Sequence, residues 1–162
     1  MYLSTSKICS VYGDSVDVME PLFQSYGGRK EFYGQVVTIK CFEQVGVILD
    51  TLRQDGAGKV LIIDAGGSLR KAVLSEDIVS LATHNAWEGI ICYGAVCDVK
   101  ELADFDIGIK AVGAFPVIAE ENDQGEQDCP VNFAGATIYS GDYVYADETG
   151  IVLSQEPLDL NS

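Results

Sequence analysis

The sequence predicts a layered α/β domain, with a central strand–helix–strand unit and a C-terminal antiparallel or barrel-like β layer. Residues 60–63 form an uninterrupted apolar run of strand length, which is typical of a strand covered on both faces. Residues 75–82 begin with a capping serine and then place apolar side chains at helical spacing, and residues 89–93 form a second apolar run. Short β-type runs separated by turn residues follow residue 130.

A parallel crossover of this kind has a preferred place for ligands. In open α/β sheets they bind at the carboxyl ends of the strands, where the loops leave the sheet. Here these loops contain Gly66 and Gly67 after the first strand and residues 94–98, beginning with Gly94, after the second. We therefore expect a substrate cleft, active or vestigial, between the two loops.

The elements before the central unit follow from caps and spacing. Serine and threonine at 4–6 precede apolar residues at helical spacing, which predicts a short helix that ends at Gly13. The next section is expected to wrap the sheet and to place Leu22 and Phe23 in a core or a subunit contact. Residues 34–41 alternate as a strand, and residues 45–52 have helical spacing before a glycine-rich stop.

Beyond the central unit the pattern becomes shorter. Residues 99–105 predict a short helix and residues 106–112 a further strand. Residues 120–128 form an acidic, turn-rich loop with nothing to bury. Four short strands are then predicted, at 131–133, 136–139, 143–145 and 151–153.

Length and charge limit the classes of function. With 162 residues the chain suits one domain spanning 1–162. The net charge of −15 repels phosphate backbones, so we expect no direct nucleic-acid binding and favour a basic protein partner. Plain solubility is the alternative explanation of that charge. No apolar run is long enough to span a membrane and the first residues do not resemble an export signal, so we expect a cytoplasmic protein.

Cysteine and histidine usage argues against zinc and redox sites. The five cysteines are scattered and contain no Cys-x-x-Cys pair. We expect four of them to be buried as small apolar residues, with Cys97 the exception because it lies in a candidate ligand loop. The single His84 excludes sites that need two imidazoles, and its place near a helix end suggests a surface or satisfied side chain.

Motifs spread over almost the whole chain then indicate a family. They are 20–23 (EPLF), 27–29 (GGR), 34–42 (GQVVTIKCF), 64–68 (DAGGS), 87–89 (WEG), 93–96 (YGAV), 140–142 (SGD), 145–147 (YAD) and 149–151 (TGI). With this spacing the chain resembles the regulator of ribonuclease activity A family. That family shares its fold with class II pyruvate aldolases such as 4-hydroxy-4-methyl-2-oxoglutarate aldolase.

The resemblance implies a homotrimeric ring that binds ribonuclease E and inhibits its endonucleolytic activity. The implied partners are ribonuclease E, through its basic C-terminal region, and the degradosome helicase. No cofactor is implied for a regulator. An aldolase or oxaloacetate decarboxylase of the same fold would use Mg²⁺ or Mn²⁺.

The resemblance also provides a test for the enzyme. The aldolases carry a glycine that is followed, after a spacer of 20 residues, by an arginine-aspartate pair that holds the substrate carboxylate and helps to place the metal. Here the glycine position is Glu76, the arginine position is Cys97 and the aspartate position is Asp98. Cysteine lacks the paired N–H donors that bind a carboxylate. Asp98 alone is a weak metal candidate, because a lone carboxylate in a turn more often caps the following helix.

Three functions remain open from the sequence: an inhibitor of ribonuclease E, a metal-dependent aldolase or decarboxylase, and a structural or small-molecule-binding ring. For the inhibitor, the acidic loop is either a solvated loop or the surface that docks the basic partner. Its carboxylates are the candidate partner-binding residues, Glu120, Glu121, Asp123, Glu126 and Asp128. For the vestigial cleft, the candidates are Gly66, Gly67, Glu76, Gly94 and Cys97.

Overall fold

The computed structural model describes residues 4–122 and 124–160. Within them the chain forms four α-helices, one short 3₁₀ helix at Gly13–Ser15 and twelve β-strands. The helices are α1 (Thr5–Tyr12), α2 (Gly46–Leu52), α3 (Glu76–His84) and α4 (Val99–Leu102). The strands are β1 (Asp17–Val18), β2 (Gln24–Ser25), β3 (Phe32–Lys40), β4 (Lys59–Asp64), β5 (Ala72–Leu74), β6 (Gly89–Val96), β7 (Gly108–Ala114), β8 (Glu126–Gln127), β9 (Val131–Phe133), β10 (Ala136–Ile138), β11 (Tyr143–Ala146) and β12 (Ile151–Ser154).

Ten strands form one large mixed sheet. Its order is β1-β12-β11-β3-β4-β6-β7-β2, with β5 added to β6 and β8 added to β3. The four central strands β3, β4, β6 and β7 are parallel, and β1, β2, β11 and β12 continue the sheet with antiparallel pairing. In register, Ile62 of β4 pairs with Thr38 on one side and Ile91 on the other. The predicted parallel crossover is therefore present, with α3 between β4 and β6.

Successive side chains along the central strands point to opposite faces of the sheet, and this divides the core into two layers. Ile39, Leu61 and Ile63 face α2 and α3 in one buried cluster, which also contains Ile48 of α2. The alternate residues, such as Val36, face a second cluster. That cluster joins the central strands to β11, β12 and the separate β9–β10 hairpin. The predicted helical layer and barrel-like β layer thus lie on opposite faces of the central strands.

Hydrogen bonds to the Asp147 side chain connect α1 with the turn between β11 and β12. Its carboxylate, in a residue that is 8% exposed, accepts hydrogen bonds from the backbone N–H and the hydroxyl of Thr5, at 2.9 and 2.7 Å. It also accepts the N–H groups of Thr149 and Gly150. Burial raises the pKa of Asp147, but these hydrogen bonds lower it by more, so the pKa lies below its ordinary value. The ionised side chain therefore stabilises both segments.

The structure corrects several predicted boundaries. Strand β6 continues to Val96 instead of ending before Gly94, since Gly94 packs closely inside the sheet: an added Cβ would lie 2.9 Å from the Cβ of Ala65. Helix α4 ends at Leu102, and β7 begins at Gly108 and extends to Ala114. The acidic segment is not wholly a loop, because β8 pairs with β3. Strand β5 was not predicted.

The burial of the cysteines differs in part from the prediction. Cys41 and Cys92 are buried, whereas Cys9 and Cys129 are only half-buried, so the expectation of four buried cysteines is wrong for two of them. Cys97 is half-buried as well. His84 is the last residue of α3 and is exposed, as expected. In the part of the chain that the structure describes, no helix is long and apolar enough to cross a membrane.

Candidate functional site

The carboxyl ends of the parallel strands hold two separate concave regions. The first is an open depression of about 700 Å³ beyond β3 and β4. Its lining includes Lys40, Asp64, Gly66 and Glu126, together with Gln44, whose buried Oε1 has no hydrogen-bond partner among the described residues. Of the predicted cleft glycines, only Gly66 lines this depression. It has a positive φ of 69°, and its N–H donates to the Asp64 carboxylate at 2.9 Å.

Gly67 and Gly94 serve packing between the two loops. The N–H of Gly67 donates to the carbonyl of Tyr93 at 3.0 Å, and a Cβ at Gly67 would lie 2.9 Å from the Tyr93 ring. Gly94 is buried against Ala65, as described above. Both glycines permit the loop after β4 to lie directly on β6. The short distance between this loop and β6 therefore explains why both positions are glycine.

The second concave region lies beyond β6 and β7 and has a volume of about 240 Å³. Cys97 and Asp98 line it together with Phe115 and Pro116. The N–H of Cys97 donates to the carbonyl of Leu74 at 2.9 Å, which fixes the segment after β6 against the end of β5. The structure thus brings Cys97 and Asp98 to the start of α3, where Glu76 lies.

The side chain of Asp98 caps α3. Its Oδ2 accepts the backbone N–H of Glu76 at 2.9 Å, and the Ser75 hydroxyl accepts the N–H of Ile78 at 3.4 Å. A carboxylate at this position satisfies an unpaired helical N–H and interacts favourably with the helix dipole. Asp98 itself has left-handed backbone angles and makes no side-chain cap to α4. The expected cap of the following helix is therefore wrong: the carboxylate caps the preceding helix.

The Cys97 thiol is held in its neutral form. Burial, the negative charge of Asp98 and a hydrogen bond to that carboxylate together raise its pKa to about 11, and burial is the largest of these causes. At neutral pH the side chain therefore offers a weak S–H donor and no charge. It cannot replace a guanidinium in binding a carboxylate.

The donor set does not fit Mg²⁺ or Mn²⁺. These ions prefer several oxygen ligands, usually carboxylates and water. Among residues 4–122 and 124–160, no three His, Cys, Asp or Glu side chains are grouped so that they could hold a metal ion. One oxygen of Asp98 is bound to the Glu76 N–H, and its neighbour Cys97 is a neutral thiol.

The carboxylates of residues 120–128 differ in their hydrogen bonding. Glu120 and Glu121 are exposed, and Glu126 is exposed at the start of β8. Asp128 accepts a hydrogen bond from the Ser140 hydroxyl at 2.6 Å, so it also has a structural partner. Asp123 lies outside the described residues. Three of the five candidate carboxylates are therefore exposed and without a hydrogen bond to another described residue.

Lys110 is a polar residue whose position was not anticipated. It lies in β7, is 4% exposed, and its Nζ donates to the Ser25 hydroxyl at 2.9 Å and to the Asp147 carbonyl at 2.6 Å. The available sequence signal is a lone lysine within an otherwise apolar strand, at a position facing the buried side. A lysine is seldom buried to this extent.

Comparisons with known proteins agree with this fold. The RraA-like family model, described as Aldolase/RraA, matches residues 5–153. The chain is similar to the RNA-processing inhibitor RraA from Thermus thermophilus, with 34% identity and a TM-score of 0.94 over 98% of this chain and 96% of that one. It is similar to an S-adenosylmethionine:2-dimethylmenaquinone methyltransferase from Geobacillus kaustophilus, with 33% identity and a TM-score of 0.94 over 96% and 97% of the two chains.

A more distant structure has the same fold. Streptomyces coelicolor RraAS2, an unusual member of the RNase ES inhibitor RraA protein family, is 20% identical and has a TM-score of 0.76 over 94% of this chain and 81% of that one. The family model spans nearly the whole chain, and the motifs read from the sequence fall within the same span. The chain therefore belongs to the RraA-like family.

Proposed function

We propose that this protein is a regulator that binds ribonuclease E, inhibits its endonucleolytic activity and so modulates RNA turnover. The proposal is supported by similarity, along nearly the full length of both chains, to an RNA-processing inhibitor. A relative described as a methyltransferase is about equally similar, so similarity alone does not choose an activity. The geometry around α3 is the observation that favours a regulator over an aldolase.

That geometry opposes an enzyme that binds a carboxylate substrate at the aldolase position. The Glu76 N–H is already taken by the chain's own Asp98 carboxylate. Cys97 supplies neither positive charge nor paired donors, and the exposed Glu76 adds a negative charge. A hydrogen bond to a charged group contributes about 1.5–3 kcal/mol. At this position the Glu76 N–H already makes such a bond to Asp98, so it is not free to bind a substrate carboxylate. We infer a vestigial cleft.

The negative charge of this protein favours a partner with a basic surface. With −15 on each chain, a homotrimer would carry −45 and would attract the basic C-terminal region of ribonuclease E over a long range. The exposed carboxylates Glu120, Glu121 and Glu126 are the proposed contact. The protein itself should bind no RNA, because it offers phosphate groups too few cations. The degradosome helicase is a second proposed partner.

A homotrimer requires apolar contacts that offset the repulsion between like-charged subunits. Three large apolar side chains near the carboxyl ends of the strands are exposed, namely Leu69, Val117 and Ile118. Leu22 is also exposed, whereas Phe23 packs against the second core cluster. Light scattering should give a trimer that persists in moderate salt. A monomer at micromolar concentration would exclude the ring.

The binding proposal is tested by affinity for ribonuclease E across a range of salt concentrations. Screening shortens the range of the attraction from about 10 Å at 0.1 M salt to about 3 Å at 1 M, so affinity should fall steeply. RNA should compete for the same segment. Replacing Glu120, Glu121 and Glu126 with glutamine should slow association. The matched control neutralises three exposed carboxylates elsewhere, Asp77, Glu101 and Asp104.

Salt-independent affinity would contradict the electrostatic contact, as would tight binding to a ribonuclease E that lacks its basic segments. The enzymatic alternative is tested separately with purified protein, Mg²⁺ or Mn²⁺, and oxaloacetate. We expect no turnover above that of the metal alone. Pyruvate release that disappears in Asp98→Asn would overturn the assignment as a non-enzyme.

A further inference from the structure

Lys110 places its amino group in the interior of the protein. It lies in β7, and its ammonium group reaches the Asp147 carbonyl at the turn between β11 and β12, as well as the Ser25 hydroxyl of β2. The residue is 4% exposed. An ammonium group has three N–H donors, and only these two acceptors are within hydrogen-bond distance among the described residues.

No carboxylate among the described residues forms an ion pair with Lys110. The ion pairs in the described part of the chain are made by Arg29, Arg53 and Arg70. Burial lowers the pKa of Lys110, the more distant charges of Asp147 and Glu148 raise it, and Lys30 lowers it; the balance lies below the ordinary value. Buried charges are normally paired, because desolvation of a lone ammonium group is costly. The two direct partners of the Lys110 ammonium group are both neutral oxygens.

A cavity of about 230 Å³ adjoins the lysine. Met19, Phe23 and Ile151 provide apolar lining, while Thr149 and Glu148 lie at the exposed side. The hydroxyl of Thr149 makes no hydrogen bond within the described residues, whereas its N–H is bound to Asp147. A lysine N–H and a threonine hydroxyl are thus both available in a small, mostly apolar space.

We propose that this cavity binds a small monocarboxylate with a short apolar tail, whose carboxylate is held by Lys110 and Thr149. The volume lies below the usual range for drug-sized ligands, which restricts the site to molecules of a few heavy atoms. Glu20 and Glu148 also line the cavity and repel a second negative charge. Because this repulsion grows with the charge of the ligand, dicarboxylates and phosphates should bind more weakly than a monocarboxylate. The inference is independent of ribonuclease E binding.

Sodium propionate is a suitable probe, with sodium chloride at equal ionic strength and neutral propionamide as controls. NMR of protein labelled at its lysine side chains reports the Lys110 signal, which is assigned by its loss in Lys110→Met. Because a carboxylate favours the charged amine, propionate should raise the pKa of Lys110 in a saturable manner. The controls should leave it unchanged.

Variants separate specific binding from a general effect of anions. Thr149→Val should weaken propionate binding severalfold, as reported by the Lys110 signal, since it removes a hydrogen bond to the carboxylate. In Lys110→Met, where that signal is absent, loss of the ammonium group should weaken binding roughly tenfold or more, measured through the methyl signals of Met19 and Ile151 in the cavity lining. Lys100→Met, at an exposed lysine of α4, should bind like the unmodified protein. Equal responses to propionate and chloride, or a Lys110 signal that propionate does not move, would overturn the site even if Lys110→Met fails to fold.

Discussion

Replacing Asp98 with asparagine should make the Cys97 thiol more acidic. In the unmodified protein its pKa is about 11, against an ordinary value of 9.0, so the thiolate fraction at neutral pH is reduced about a hundredfold. Asparagine removes the negative charge, which is one of the causes. Burial, the largest cause, remains. The pKa of Cys97 should therefore fall toward 9.0 without reaching it.

Alkylation with iodoacetamide, followed by peptide mass spectrometry, measures this change, because only the thiolate reacts. The labelling rate of Cys97 at neutral pH should rise severalfold in Asp98→Asn, but by less than about a hundredfold. Asparagine still accepts the Glu76 N–H, so the loss of stability should be limited to about 0.5–1 kcal/mol. The matched control is Asp104→Asn, at an exposed carboxylate after α4.

Two results would refute the reasoning. If Cys97 in the unmodified protein titrates at an ordinary pKa, the described environment of the thiol is wrong. If Asp98→Asn leaves the labelling profile unchanged, the carboxylate does not act on the thiol. Either result would reopen Cys97 as an anionic or reactive group in this cavity.

Two further predictions concern stability. Asp147→Ala should lower the free energy of unfolding by about 2–4 kcal/mol, because Thr5, Thr149 and Gly150 lose a buried charged acceptor. Denaturant titration measures this free energy. A loss below about 0.5 kcal/mol would show that Asp147 does not stabilise the contact between α1 and the turn. Since folding lowers the pKa of Asp147, its stabilisation is present above the unfolded-state value of about 3.9 and is lost as the pH falls through the folded-state value, so the Ala variant should show a shallower acid-induced loss. Gly108→Ala should destabilise by about 1–3 kcal/mol, because an added Cβ would overlap the Phe32 ring. A double-mutant cycle with Phe32→Leu should recover part of that loss, whereas strict additivity of the two changes would disprove the proposed overlap.

The strongest local patterns predicted the central elements well. The apolar runs at 60–63 and 89–93 are β4 and most of β6, because strands covered on both faces carry continuous apolar sequence. Ser75 is the cap of α3, and Ser4 is the cap of α1. In each case the signal lies within a few consecutive residues.

Short elements held by distant partners left no comparable pattern. Strand β5 has three residues and exists through its parallel pairing with β6. Strand β8 consists of an exposed glutamate and a glutamine, whose composition indicates a loop, yet it pairs with β3. Their positions depend on the assembled sheet.

The candidate site shows the same limit. Glu76, Cys97 and Asp98 were selected from the sequence through a family resemblance, and the structure places them together. The hydrogen bond from the Glu76 N–H to Asp98 could not be predicted, since it depends on β5 and β6 lying side by side. The burial of Lys110 could not be predicted from its strand alone, because its acceptors lie on β2 and on the turn before β12.

The two outermost strands of the large sheet have a consequence for molecular recognition. Strands β1 and β2 contain two residues each, so the outermost strand at each end of the described sheet offers only a few free backbone groups. A partner that binds by β-augmentation needs a longer row of unpaired N–H and C=O groups. Short edges also protect a sheet of this size from self-association into fibres. Recognition by this protein should therefore depend on side chains, which makes it sensitive to single substitutions on the surface.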